Sequence, residues 1–515
     1  MCGITGIWGD ADVALVKQMM MLVRHRGPDA EGKFVSSEGP GVLGHRRLSI
    51  MDPEGGNQPI YNESKNIAVI ANGEIYNFPH LRSELSKRHQ FYTTSDTEAI
   101  VHLYEDHGAS MVEHLDGMYA FAVADAAEFY AARDPIGIKP LYLGEINDAL
   151  IFASELKAFP AGCDSVREFP PGTFFHSARG FTTFYSVPEI ISRQAPVKDY
   201  IEKIRNTLEE AVVKRLMSDV PLGAFLSGGL DSSIIAAIAR KHIDRLHTFS
   251  VGVEGSRDIE AARLVSNHLD TIHHEYILTE HEVRKRLPEI IYYLESFDQD
   301  LVRSAIPCYF TSRLAADYVK VILTGEGADE LFGGYGYYKS IENQEFLHRE
   351  LRRSVTSLHN INLQRVDRMT MAHAIEGRVP FLDLAMIRLG QIIPPEMKIM
   401  GSPPIEKWIL RKAFEDLLPP EITWRIKEQF DEGSGTVDML ECVLTGIMGE
   451  AEMQNYCSRF PETHLRSVEE CHYHRLLMEV FENPHIIFSN TGRWSQRPCE
   501  EKKACAKGPG FSRQN

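Results

Sequence analysis

Residues 221–242 read PLGAFLSGGLDSSIIAAIARKH, and the fold turns on them. Pro221–Leu226 is a short apolar run, as expected of a strand covered on both faces. Asp231–His242 carries small apolar residues at helical spacing. Between them, Ser227, Gly228 and Gly229 make a tight turn, with Asp231 and Ser232 just inside the helix. Such a turn points free N–H groups, hydroxyls and the positive end of a helix dipole at one place, which suits an anion. It is not the GxxxxGK[ST] loop. Working outward, Lys198–Met217 has a helical pattern, while His247–Val253 (HTFSVGV) and Tyr318–Thr324 (YVKVILT) are strand-like. Strands alternating with helices predict a parallel sheet with helices on both faces. From about Glu342 the chain reads mostly helical.

The first third has another texture. Up to about Tyr185, short apolar runs are broken by Gly, Asn, Asp and Pro: Asn66–Asn72, Met118–Ala124, Glu128–Ala132 and Ala149–Ala153. These read as antiparallel strands, interrupted by helical patterns at Val13–Arg24 and Thr97–Tyr104. Val187–Val197 (VPEIISRQAPV) reads as a linker. The expected division is a domain at 2–188, a second at 198–490, and a loose tail at 496–515.

Composition sets outer bounds. A chain of 515 residues is too long for one core. A formal net charge of -17 argues against a nucleic-acid partner, since phosphate backbones require basic surfaces. No run of roughly 18 apolar residues suggests a membrane span, and the N-terminus lacks a secretory pattern. The eight cysteines are scattered without a CxxC pair, which fits a reducing cytoplasm better than a disulfide framework.

Cys2 stands out because removal of the initiator Met is expected to leave it as the N-terminus. A free α-amine titrates near pH 7.7–8, so one residue then supplies both nucleophile and base. Cleavage of a glutamine amide also needs oxyanion donors, a cation for the substrate carboxylate and anions for its ammonium. Asn72 and Gly73 suit the oxyanion. An arginine fork suits the carboxylate, and acids such as Glu74 and Asp96 suit the ammonium. Singly, each residue has a structural explanation: Asn72-Gly73 as a hairpin turn, Asp96 as a helix cap, Arg47 as a surface residue at a strand start. Taken in order, Cys2, Arg24–Asp29, His45–Ile50, Asn72–Asn77 and Ser95–Glu98 resemble the class-II, N-terminal-nucleophile glutamine amidotransferase domain, over about residues 2–185.

The Ser227-Gly228-Gly229-Leu230-Asp231-Ser232 loop likewise resembles the pyrophosphate loop of enzymes that cleave ATP to AMP and pyrophosphate. A second motif, Thr324-Gly325-Glu326-Gly327-Ala328-Asp329, ends another strand. Asp231 and Asp329 suit Mg²⁺, which takes one or two carboxylates plus phosphate oxygens. Lys427 suits the leaving pyrophosphate. Together the segments resemble the asparagine synthetase family over roughly residues 2–485. The resemblance implies an αββα sandwich followed by an α/β parallel-sheet domain with a helical C-terminal part. It implies that Cys2 attacks glutamine, held by Arg47, Leu48, Ser49, Ile50, Met51, Asn72, Gly73, Glu74 and Asp96. It places Leu226, Val251, Thr324 and Gly325 on ATP, gives Glu326 a role in forming or aminolysing an aspartyl adenylate, and implies an ammonia tunnel, Mg²⁺ and a homodimer.

One segment departs from the family's Asp-x-Thr-Thr-Ile-Arg-Ala-Ser pattern. It reads Asp298-Gln299-Asp300-Leu301-Val302-Arg303-Ser304-Ala305. Arg303 is kept and is expected to bind the acceptor. Two hydroxyls are replaced, one by a negative charge, so two acceptors stay open: aspartate, or another carboxylate. Cys2, Asp231 and Glu326 together speak against a non-catalytic binding or regulatory relative, and Cys2 against a β-lactam-forming one.

Overall fold

The computed structural model describes residues 2–493 apart from 37–39, 191 and 429. The tail from Gln496, with Cys499 and Cys505, lies outside the described residues. The first third forms two six-stranded sheets, antiparallel throughout. In one, Cys2–Trp8 runs between Ala149–Ala153 and Gly41–Arg47. In the other, Ala68–Ile75 pairs with Gly117–Ala124, which pairs with Phe129–Arg133. Ile4, Leu43, Ile70, Ala120, Phe129 and Phe152 fill the space between the sheets. Outside the first sheet, Val13–Leu22 packs Val16 and Met20 on Ile7 and Val42. Outside the second, Phe78–Leu85 and Glu98–His107 bury Phe78, Leu81, Ile100 and Leu103. The result is the expected αββα sandwich.

The structural explanations that three residues have singly do not hold. Asn72 and Gly73 are not a turn: they continue the strand Ala68–Ile75, with Gly73 opposite Tyr119. A Cβ on Gly73 would stand 2.0 Å from the Met118 carbonyl oxygen, so the backbones approach as only glycine allows. Arg47 ends its strand instead of starting it, and is buried. Asp96 does not cap the following helix; its carboxylate accepts from the Ile75 N–H at 2.6 Å.

The second body is a five-stranded, fully parallel sheet in the order Ile272–Ile277, His247–Gly252, Leu222–Phe225, Val321–Leu323, Glu376–Arg378. The chain builds outward one way from Leu222–Phe225, then returns to build the other way. The loops leaving Leu222–Phe225 and Val321–Leu323 are therefore neighbours at the carboxyl edge, where open parallel sheets bind ligands. Gly228 takes φ +70°, and a Cβ there would meet Ala261 and Ala262 at 2.5 Å. Two edge strands were not legible beforehand, Ile272–Ile277 and Glu376–Arg378. The linker is tied down where described: Arg352 donates to the carbonyls of Val187 and Pro188, and His348 contacts the Ile190 carbonyl at 2.8 Å.

The two bodies meet through buried charge. Arg26 pairs with Glu155 and Asp367 at 2.7 Å each. Arg368 reaches Glu295 at 2.9 Å, and Lys157 reaches the same carboxylate at 3.1 Å. All these groups are buried, which is tolerable only because each is paired. No described helix is long and apolar enough to cross a membrane.

Candidate active sites

The strand register sets Cys2 opposite Arg47. The Cys2 backbone nitrogen donates to Asn72 Oδ1 at 2.9 Å, leaving Asn72 Nδ2 buried without a hydrogen-bond partner. A buried amide donor with nothing to bind is costly, and an oxyanion beside Cys2 would satisfy it. Burial pushes the Cys2 thiol pKa up, although the Leu48 N–H and the Arg47 charge pull against it. The thiol therefore needs a base.

Arg47 spends both terminal nitrogens on the loop beyond it, donating to the carbonyls of Met51, Asp52 and Pro53 and to Asn57 Oδ1. Ser49 N–H donates to Asp29, which also binds Lys320 of the second body. Leu48 and Ile50 pack with Val321 and Met371. The segment 48–51 is thus gripped from both halves. Glu74, Asp96 and Glu376 form a buried acidic group facing the cations Arg378 and Lys139. Burial, then repulsion from Glu376 and Asp96, raises the Glu74 pKa. Burial pushes Asp96 up to about 6. Carboxylates gathered in this way beside Cys2 suit an α-ammonium. Glu376 and Arg378 come from the edge strand of the parallel sheet, so the second body reaches into the first site.

The other cavity lies over the carboxyl edge of the parallel sheet. It is lined by Leu226, Ser227, Gly229, Asp231, Ser232, Val251, Thr324, Gly325, Glu326, Asp329 and Lys427. Gly228 shapes the loop from outside the lining, its carbonyl accepting from Arg425. Lys407 was missed: its ammonium bridges Asp231 and Asp329 at 2.5 Å each. Asp231 Oδ1 remains buried and without a hydrogen-bond partner. Lys427 lies 3.2 Å from Asp329. Burial lowers its pKa, but Asp329 and Asp231 outweigh this and hold it charged. Glu326 pairs with Arg365, also missed, and burial raises its pKa against that pull.

Arg303 requires a correction. It does not line the cavity, and its guanidinium grips Glu469. The helix Gln299–Ala315 turns Asp298, Asp300, Leu301 and Ser304 toward the cavity and Arg303 away. The charge of Asp300 is met by Arg466 at 3.6 Å, which also holds Asp298 at 2.8 Å. Arg466 and Glu469 lie in a polar C-terminal stretch that carried no recognisable signal.

Fold and sites together define a two-centre protein: an N-terminal-nucleophile amidotransferase half joined to a parallel-sheet nucleotide half. Sequence comparison agrees with that class. The family described as Glutamine amidotransferase domain matches residues 1–186, and Asparagine synthase matches residues 203–345 and 339–456. Glutamine-hydrolyzing asparagine synthetase 3 of Arabidopsis thaliana is 41% identical, covering 93% of this chain and 87% of its own. Glutamine-hydrolyzing asparagine synthetase 2 of Oryza sativa subsp. japonica is 40% identical, covering 93% and 85%. That of Zea mays is 39% identical, covering 93% and 86%. The chain belongs to the glutamine-hydrolysing asparagine synthetase family.

Proposed function

We propose that this chain converts aspartate to asparagine with ATP, using ammonia cut from glutamine. The work divides between residues 2–188 and 198–490. The observation that carries the reading is the pairing of a buried Cys2–Asn72 centre with a cavity over the carboxyl edge of the parallel sheet, across one helix, Asn362–Met371. Asp367 on that helix holds Arg26, whose Nε donates to the Cys2 carbonyl at 3.0 Å. Arg365, two residues earlier, holds Glu326. This arrangement supports internal passage of ammonia, which in water would protonate and stop being a nucleophile.

In the first half, the Cys2 amine freed by Met removal takes the thiol proton. The thiolate attacks the glutamine amide carbon, and Asn72 Nδ2 meets the oxyanion. Ammonia leaves, and water releases glutamate from the thioester. Glu74 and Asp96 hold the substrate ammonium. In the second half, an aspartate carboxylate oxygen attacks the α-phosphorus of ATP, and Lys427 takes up charge on the departing pyrophosphate. Ammonia then attacks the acyl carbon of the adenylate and AMP leaves. Glu326, its basicity raised by burial, is positioned to accept a proton from the attacking nitrogen.

Asp231 and Asp329 would hold Mg²⁺, which neutralises phosphate charge when bound. The open Oδ1 of Asp231 supports this, and Lys407 keeps the two carboxylates together. Arg466 offsets part of the Asp300 charge while also holding Asp298 and Glu470, which lessens the repulsion that the departure at 298–305 sets against aspartate. A reduced Cys2 supports a cytoplasmic setting.

Paired variants test the scheme. Cys2→Ala is expected to lose glutamine-dependent asparagine formation and keep formation from ammonium salts. Glu326→Ala is expected to lose both syntheses and keep glutaminase. Loss of ammonia-dependent synthesis in Cys2→Ala, or unchanged synthesis in Glu326→Ala, would overturn the division.

A further inference from the structure

We propose that Glu63, His89, His102 and Glu105 form a site for a divalent transition-metal ion, zinc foremost, on the outer face of the amidotransferase half. Among the described residues, these four offer ligand atoms that all lie within 4.8 Å of one another. They come from three places in the chain. Glu63 follows the strand Ile60–Tyr61, His89 follows the helix Phe78–Leu85, and His102 and Glu105 share a face of the helix Glu98–His107.

The spacing comes close to that of a tetrahedral zinc shell. Ligand bonds of about 2.0–2.1 Å make neighbouring donors sit about 3.3 Å apart. His89 Nδ1 is 3.5 Å from Glu63 Oε1 and 3.5 Å from Glu105 Oε2. His102 Nδ1 is 3.7 Å from Glu63 Oε2 and 3.1 Å from Glu105 Oε2. The two rings stack at 4.5 Å with both Nδ1 atoms on the carboxylates.

Three of the four ligands also have an outer partner of the kind that orients metal ligands. His89 Nε2 meets Asp106 Oδ1 at 3.1 Å; His102 Nε2 makes no hydrogen bond, the buried Glu98 carboxylate standing 3.6 Å away. The Gln90 N–H fixes Glu63 and the Asn62 amide fixes Glu105, each at 2.8 Å. A neutral imidazole has one N–H. With the His89 hydrogen turned to Asp106, its Nδ1 lone pair points at Glu63 and Glu105, while His102 Nδ1 lies within hydrogen-bonding distance of Glu105. Lone pairs against carboxylates repel unless a cation lies among them. Two imidazoles and two carboxylates suit zinc and leave the filled site neutral. The four ligands close the shell, so the ion would be structural. It would pin the chain from His89 toward Asp96, the residue that holds the strand beside Asn72.

The test uses full-length protein stripped with a chelator, then titrated with zinc by competition calorimetry and, in parallel, with cobalt by visible absorption. Native protein is expected to take about one ion per chain with the absorption of a tetrahedral N/O site, and its melting temperature is expected to rise with zinc. His89→Gln and Glu63→Gln are expected to lose both effects while keeping the native far-ultraviolet circular dichroism. Asp106→Asn is expected to bind about 10- to 100-fold more weakly. Equal zinc uptake by native protein and by either folded ligand variant would place the ion elsewhere and overturn the proposal. So would a melting temperature that responds to pH but not to zinc, which would make the cluster an ion-paired group of protonated histidines.

Discussion

Asn72 serves two ends with one side chain. Its carbonyl is fixed by Cys2, which aims its amide nitrogen where negative charge develops. Asp96 works at the same scale through its proton. Burial is the main cause of its raised pKa, about 6, and the ammonium of glutamine needs the ionised form. The second-order constant for glutamine hydrolysis is therefore expected to fall as pH drops through about 6. A profile flat to pH 5 would contradict the assignment. The stability effect has the opposite sense. Asp96 costs nothing below its ordinary 3.8, and the cost of ionising it in the fold grows as pH rises toward about 6. The residue types at this centre were legible because nucleophile, oxyanion donor and counter-charges are chemical necessities. Their partners were not. Glu376 lies some three hundred positions from Glu74, and only the folded sheet edge brings it near.

At the scale of elements, the helix Asn362–Met371 joins the two centres. Its sequence, NLQRVDRMTM, has no motif, yet Arg365, Asp367 and Arg368 each engage an acid or an arginine. Asp367→Asn leaves Arg26 without one of its two carboxylates. Breaking a buried ion pair on one side costs about 3–5 kcal/mol; here Glu155 retains part of the pairing, so a loss at the lower end is expected in a denaturant melt. Glutamate release is also expected to exceed asparagine formation in this variant. A variant as stable and as tightly coupled as the native protein would show that the helix only supports packing. Strands with apolar runs, such as Ala149–Ala153, could be read in advance because burial imposes the pattern. Ile272–Ile277 (IHHEYI) is a partly exposed edge strand, and Glu376–Arg378 is short and charged. Neither carries the alternation or apolar run that marks a strand.

At the scale of the molecule, the two bodies are fastened by buried ion pairs set among shared apolar clusters, and the charged part of that contact had no sequence signature. Arg26, Glu155, Lys157, Glu295, Asp367 and Arg368 are spread over most of the chain, and no local pattern announces that they will meet. The cavity wall was partly misread for the same reason. Arg303 could be foreseen on its helix, but its turn toward Glu469 depends on a segment more than 160 residues later. Arg466, from that segment, is shared by Asp298, Asp300 and Glu470.

The central claim is that one chain activates aspartate as an adenylate and hands it ammonia made at Cys2. The most direct measurement supplies aspartate labelled with ¹⁸O in its side-chain carboxylate, with glutamine and MgATP, and follows the label by mass spectrometry. The account predicts one labelled oxygen in the AMP released for each asparagine formed, with the other kept in the amide. Asparagine formed with unlabelled AMP, or with the label in inorganic phosphate, would contradict it.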